Sequence, residues 1–536
     1  MRLDLDWFAP ESNDNEFRHS GGIVLSRNRE VRNGFLGLLF TTVFITDIQA
    51  IVLDDELPKN STEDLFTDSN KDPTLALPSQ KTRKPMDAEK SRPKESQPQR
   101  DKLTTSVRSG ARTTQQVIPG RPGRNLDLPS TVEEADESSC DSLEEPVEPI
   151  LWIIPRELRG GGITFECIYT GETFTKAKGG INPGRPTNYR SNLDIVAIAD
   201  TGKLGWWDRG RLFVYGQNLS GRPLSESEVG DVQLFSNLDS TIGPGQRPQF
   251  TAISEYWYEQ FFIDDILSFR IGKQDTNAIF ALTDLGGEFV HSSFGAPPII
   301  PMPTFPSNAL GISTFLKLTE TATLGFGIYD GTLADGPQGV RWGFDTLGEN
   351  GAFSIYQAEW KPQLGSEGEL PTTIRTGIWH HSDKEVWTEL TANPNPITFN
   401  QNYGFFLTAD QMIFKENGAD DDQGLGIFGQ YFSAPQDRNM IGTYFGAGLV
   451  YKGLLPGRDE DYLGLGFAQA IFSDDFREQE AFNGTDIGHS ERATELFYKW
   501  IVGPKFSLQP DLQYISSPSG QHRDAIVSGL RFEAVF

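Results

Sequence analysis

The chain has 536 residues and a formal charge of -27, with 74 acidic side chains against 47 basic ones, a balance that argues against the Lys/Arg clusters a nucleic-acid partner requires. A hydrophobic content of 37% and a mean hydropathy of -0.40 exclude a bundle of transmembrane helices. They are compatible with a transmembrane β-barrel, in which only alternate residues meet lipid. The two cysteines, Cys140 and Cys167, allow one optional bridge and no CxxC metal site. His380 and His381 are adjacent, so on a strand they point to opposite faces and cannot share a metal ion well. No GxGxxG after a strand, GxxxxGK[ST], GxSxG or HExxH occurs, so neither a cofactor nor an enzymatic reaction is expected.

The first predicted element is a secretory signal. In RNREVRNGFLGLLFTTVFITDIQA, residues 27–50, Arg27, Arg29 and Arg32 precede an apolar run from Phe35 to Ile45, and Ala50 closes the segment. The run is about eleven residues, too short for a bilayer that needs about twenty. The acidic stretch ahead of it is foreign to an export signal and points to a translation start downstream of Met1. Residues 1–50 are therefore assigned to an N-terminal extension and signal peptide. Residues 51–150 are rich in Ser, Thr, Pro, Lys, Asp and Glu, as in KPMDAEKSRPKESQPQRDK. They cannot bury enough apolar surface to offset their ordering entropy, and read as a disordered periplasmic spacer. Mixed charge leaves a cell-wall contact open beside a plain tether.

Residues 151–536 form the third region, where from Gly161 short alternating segments are separated by Gly, Pro, Asp and Asn. The fold class is all-β, a transmembrane antiparallel barrel with strands over 163–170, 190–200, 209–219, 249–260, 265–274, 308–318, 323–330, 352–360, 372–381, 401–411, 423–432, 441–451, 461–472, 491–502, 505–516 and 523–536. These number sixteen. Connections at Asp264–Asp265, Glu320 and Pro504 are tight, as periplasmic turns are, whereas 220–248 and 275–307 are long, as external loops are. In the closing AIVSGLRFEAVF, Ile526, Leu530, Phe532, Ala534 and Phe536 share a lipid face, and Arg531 and Glu533 a wet one. Lipid is thus one expected partner. The terminal aromatic Phe536 resembles the signal that outer-membrane assembly machinery reads.

In such a barrel the chemistry is selection by a narrow polar passage. Alternation sets Glu255, Trp257 and Glu259 on one face of their strand and Tyr256 and Tyr258 on the other. It likewise sets Ser268, Arg270 and Gln274 opposite Leu267, Phe269 and Ile271. Carboxylate, guanidinium and indole together suit a neutral sugar, whose hydroxyls both donate and accept and whose C–H face packs on an aromatic plane. The same groups describe a glycosidase, but Glu255 and Glu259 lie about 13 Å apart along one strand, long for two carboxylates flanking a bond. The connection 275–307, apolar and proline-rich, either folds into the barrel as a constriction or lies over the rim. In the first case Asp275, Asn277, Asp284, Glu288 and His291 join the passage. A barrel of another class, a barrel hydrolase and a secreted glycan-binding sandwich remain alternatives.

GGITFECIYTGETF at 161–174, EYWYEQFF at 255–262, LSFRIGKQD at 267–275, FVHSSFG at 289–295 and ELFYKWIVGPKFSLQPDLQYISSPSG at 495–520 together resemble the OprB-type carbohydrate-selective porins. The resemblance spans nearly all of 161–536 and none of the first 150 residues. It implies a sixteen-stranded barrel, an in-folded loop, passage of small sugars and residence in the outer membrane.

Overall fold

The structure is a computed structural model that describes residues 161–536 except 242–248, 333–341, 366–369 and 419–420. The expected signal peptide and spacer, and Cys140, lie outside the described residues.

The strands are β1 (Ile163–Gly180), β2 (Thr187–Asp200), β3 (Gly210–Gly221), β4 (Gln249–Phe262), β5 (Leu267–Gln274), β6 (Ala309–Thr319), β7 (Ala322–Asp330) and β8 (Ala352–Trp360). There follow the two-residue β9 (Gln363–Leu364), β10 (Leu370–Thr388), β11 (Thr398–Lys415), β12 (Gly424–Ser433), β13 (Ile441–Lys452), β14 (Tyr462–Phe472), β15 (Ser490–Gly503), β16 (Phe506–Ser516) and β17 (Arg523–Val535). Each strand pairs antiparallel with its neighbours in sequence, β10 reaches back to β8, and β1 pairs with both β2 and β17. The sheet is therefore closed, and because β9 only lengthens the β8–β10 hairpin, the wall has sixteen staves.

Closure removes the exposed edges that an open sheet would offer, and alternation then decides what faces where. Ile195, Val214, Ile271, Leu324, Ile378 and Phe467 are among the large apolar side chains on the outer surface, the lipid-facing half of each strand. On β17, Phe532 packs outside against Tyr169 and Phe506, with ring centroids 5.9 and 6.3 Å away. Its neighbours Arg531 and Glu533 point inward and are buried.

All sixteen expected strands are present, but three run well past their expected limits. β1 continues to Gly180, β10 to Thr388, and β11 spans Thr398–Lys415. Apolar alternation is demanded only where lipid bathes the wall; the hairpins keep pairing beyond that band with Lys, Asn and Gln. Most of the longest connections, 222–248, 275–308 and 331–351, follow odd-numbered strands and so share one end of the barrel. In an outer-membrane barrel that end is external.

Candidate functional site

The lumen is narrowed by two connections that fold inward. The first is 275–308, which carries Phe280, Phe289, Val290, Phe294 and Ile300, all buried in one apolar cluster with inward-facing rings of β11 to β15. The wall makes room for it by omission. A Cβ on Gly466 of β14 would meet the ring of Phe294 at 2.6 Å and that of Phe289 at 2.7 Å, and a Cβ on Gly325 of β7 would meet Phe280 at 2.9 Å. Packed interiors tolerate no such overlap. Glycine at these inward positions is the recess into which the loop aromatics seat.

Polar wall residues then fix the backbone of the same connection. Glu495 accepts from the amides of Val290 (2.7 Å) and His291 (2.8 Å), one on each carboxylate oxygen. Asp410 accepts from Leu285 N–H at 2.9 Å and Gln357 from Ala281 N–H at 2.9 Å. In the other direction Thr408 donates to Leu282, Gln430 to Phe294 and Tyr444 to Ser293, at 2.8 to 2.9 Å. Buried main-chain groups that leave a regular ladder need such partners. Burial also holds the His291 imidazole far down, to about 3, so it stays neutral.

The second connection is 222–248, whose described part, up to Thr241, is held by the arc of wall that runs from β15 through β17 and β1 to β2. Glu491, four residues before Glu495 on β15, accepts from Val232 N–H (2.8 Å) and Gln233 N–H (2.9 Å). Arg190 pairs with Asp239 and, at 3.0 Å, with Glu172; Arg531 clasps Glu172 and donates to Asn237. The two connections also bond to each other, Asn237 N–H to Val290 C=O at 3.2 Å and Ser292 N–H to Leu234 C=O at 3.0 Å. Sequence reasoning raised an inward position only for the first of them, beside the alternative of lying over the rim. Glu172, Arg190, Glu491, Glu495 and Arg375 were likewise not singled out, although strict alternation puts each on an inward face.

The residues named from sequence fall into two groups. On the β3–β5 wall, Glu255, Trp257, Glu259 and Arg270 all point inward. Arg270 donates to Glu259 at 3.1 Å, and Arg211 holds the second oxygen of Glu259 at 3.6 Å. The Arg270 guanidinium lies 3.9 Å from the Trp257 ring centroid, and Phe213 of β3 stacks on the same indole at 4.5 Å with a 9° interplanar angle. Phe213 and Arg270 come from the strands flanking Trp257, so they occupy opposite sides of the ring. Trp257 is a platform for Arg270 and has no free face for a sugar ring.

The second group sits at the roots and tip of the in-folded connection. Glu255 accepts from Asp275 N–H at 3.0 Å, and Asp275 in turn accepts from Asn277 N–H at 3.0 Å and Thr304 Oγ1 at 2.5 Å. Asn277 donates to Phe280 C=O, and Gln274 bridges Gly311 and Ser313. Asp284 is gripped by Arg375, which also pairs with Glu359 and Asp410. Glu288 pairs with Lys499 at 3.0 Å. Among the described residues no group of three or more His, Cys, Asp or Glu side chains is arranged to hold a metal ion.

A closed sixteen-stave barrel with a lipid-facing band and a lumen narrowed by in-folded connections defines a porin of the outer membrane. Residues 186–536 match the family described as carbohydrate-selective porin, OprB family, and the chain belongs to that family. Porin B of Pseudomonas aeruginosa is 24% identical over 409 residues, covering 71% of this chain and 89% of that protein. The high-pH structure of OprB from Pseudomonas putida aligns at a TM-score of 0.62 and 24% identity, over 72% of this chain and 97% of that one. The protein is accordingly an outer-membrane channel for the passive diffusion of carbohydrates.

Proposed function

We propose that selection takes place along the β3–β5 wall, where Arg211, Glu259 and Arg270 face the passage, and that the connection 275–308 forms the opposing side. The supporting observation is that Glu495 of β15 and Asp410 of β11, several staves away from β3–β5, anchor that connection in the lumen. Glu259 between two guanidinium groups offers fixed donors and acceptors to hydroxyls, and Arg270 is held in plane by Trp257. Gln274, Asp275, Asn277, Asp284 and Glu288 act by holding the constriction in shape. Fold and family are those of a non-enzymatic channel, and no catalytic step is assigned.

In this reading residues 27–50 direct export, 51–150 tether the barrel on the periplasmic side with the cell wall as a contact, and Phe536 is the outward aromatic recognised during assembly. Swelling of liposomes carrying the full-length protein, with sugars of graded size, tests the channel. Monosaccharide influx that falls steeply with solute size is the expected result, and an absence of influx above empty liposomes refutes it.

A further inference from the structure

The third long connection at the external end, 331–351, turns the other way. Its described residues are 331–332 and 342–351, and their contacts are with the outside of the wall. Asp330, the last residue of β7, accepts from Thr346 Oγ1 at 2.7 Å and from Gly348 N–H at 3.3 Å. Three staves away on β4, the Tyr256 hydroxyl donates to Trp342 C=O, and the two rings meet edge to face with centroids 6.3 Å apart. Tyr256 is register-paired with Val214, which belongs to the lipid-facing surface. Gly343 sits on Leu310 of β6, where a Cβ would meet Leu310 Cγ at 2.8 Å. Leu310 has the facing of Leu316, an exposed outward residue of the same strand.

Between these contacts stands Lys273 of β5, register-paired with Tyr256 on one side and Leu310 on the other. It shares the outward facing of Ile271, yet it is 3% exposed where Ile271 is 47% exposed. Its Nζ donates to Ile253 C=O at 3.1 Å. A cation bared to lipid is penalised, and Trp342 and Gly343 cover both of its neighbours. What the connection turns outward is apolar: Trp342, Phe344 and Leu347 are 48%, 63% and 57% exposed. Lying next to Val214 and Ile271, these side chains continue the lipid-facing band. A standard protein interface takes about 800 Å² per partner, whereas three side chains of about 200 Å², each roughly half exposed, offer on the order of 300 Å². The patch therefore suits lipid better than a second copy of the chain. Asp345 and Glu349 of the same turn are exposed as well, a mixture that fits the headgroup level, where Trp collects, and not the hydrocarbon centre.

We propose that the connection 331–351 is a membrane anchor: Trp342, Phe344 and Leu347 insert among the lipids of the outer leaflet at the membrane–water interface, while Tyr256, Leu310 and Asp330 hold the connection to the wall. The anchor lies outside the passage and is independent of the solute that passes. Indole and phenyl rings are favoured at that level because the apolar body meets acyl chains and the polar edge meets water. Interfacial side chains of this kind set how a membrane protein sits in the bilayer. The arc from β4 to β7 can neither sink nor rise without carrying all three out of the interface, so its depth is fixed.

The test uses the full-length protein in phosphatidylcholine liposomes, with Cys140 and Cys167 replaced by serine and a nitroxide attached at Phe344→Cys or, independently, at Leu347→Cys. Val214→Cys supplies the lipid reference, and Asn395→Cys, on the exposed connection 389–397, the aqueous one. Spin relaxation is measured with oxygen, which concentrates among acyl chains, and with a water-soluble nickel chelate. The oxygen-to-nickel ratio at 344 and 347 should stand severalfold above that at 395 and approach that at 214. Heat-modifiable migration in gels checks each barrel, and if one labelled variant fails to assemble the other decides. A ratio equal to that at 395 overturns the anchor. Exclusion of both reagents, with spin–spin broadening that disappears on dilution with unlabelled protein, also overturns it and assigns the patch to a second copy. Adding Tyr256→Ala should lower the ratio at 344 severalfold towards the aqueous value, and an unchanged ratio in that folded variant overturns the claim that the wall holds the anchor in place.

Discussion

The seat of Phe294 is the feature of the constriction most open to attack. Its ring is fully buried, 4.6 Å from the centroid of Phe289 and 5.8 Å from that of Phe428, and it fills the space left by Gly466. Phe→Ala in a core costs about 3 to 5 kcal/mol, more when the surroundings cannot collapse. Here the facing residue is a glycine on a closed sheet, so the upper part of that range applies. At about 1.4 kcal/mol per factor of ten, Phe294→Ala shifts the balance between docked and undocked connection by roughly three to three and a half orders of magnitude. The backbone anchors at Glu495, Gln430 and Tyr444 remain, so the barrel itself should assemble. Single-channel recording in planar bilayers should show a larger, noisier conductance, and Phe294→Leu should restore most of the quiet state. Conductance and noise equal to wild type, in a variant with normal heat-modifiable migration, would refute the claim that apolar seating holds the constriction.

Arg270→Ala should fold and insert, since it loses one ion pair and a cation–π contact worth about 0.5 to 2 kcal/mol; sugar-induced current block should weaken and the reversal potential in a salt gradient shift towards cations, and no change in either removes Arg270 from the passage. Phe532→Asp should assemble far less well than Glu533→Ala, because a charge facing lipid near mid-membrane costs about 2 to 4 kcal/mol for basic residues and less for Asp; equal folded yields would contradict the facing of β17. His291 docks as the neutral imidazole, with its pKa at about 3 against an ordinary 6.5. The undocked form therefore binds the extra proton, and docking should be constant above about pH 6.5 and weaken as pH falls towards 3. Current noise in wild type should rise across that window, and His291→Asn, which keeps an acceptor for Ser293 N–H, should flatten the rise. Under the proposed division, limited proteolysis of the assembled protein should cut within 53–149 and spare 161–536; resistant fragments from 60–140 would contradict it.

Alternation was sufficient to find the staves because a lipid band imposes a two-residue period on every strand, and Phe532 beside Arg531 and Glu533 shows how sharply that period reports facing. It reports facing and nothing about partners. Trp257 was correctly turned inward by this logic, yet its stacking between Phe213 and Arg270 depends on which strands flank it, and that is a property of the closed sheet. The second in-folded connection stayed hidden because 222–241 has fewer aromatics than 275–308. It is held instead by Glu491, Glu172 and the two arginines, residues far from it in sequence. The extra length of β1, β10 and β11 was invisible because pairing outside lipid leaves no hydropathic mark.

The furnishing of the lumen also sets an order of events during biogenesis. Val232 and its acceptor Glu491 are separated by 259 positions, and Val290 and Glu495 by 205. Both connections are made early on the ribosome, and although Arg190, Gln357 and Asp410 come sooner, the Glu491 and Glu495 anchors arrive only with the third-last strand. Contacts of such long sequence separation bring no stabilisation until the chain between them has been laid down. Both connections therefore stay incompletely anchored until β15 is in place, and the constricted channel is complete only after β15 to β17 close against β1. The finished narrow pore is thus the last thing the molecule acquires.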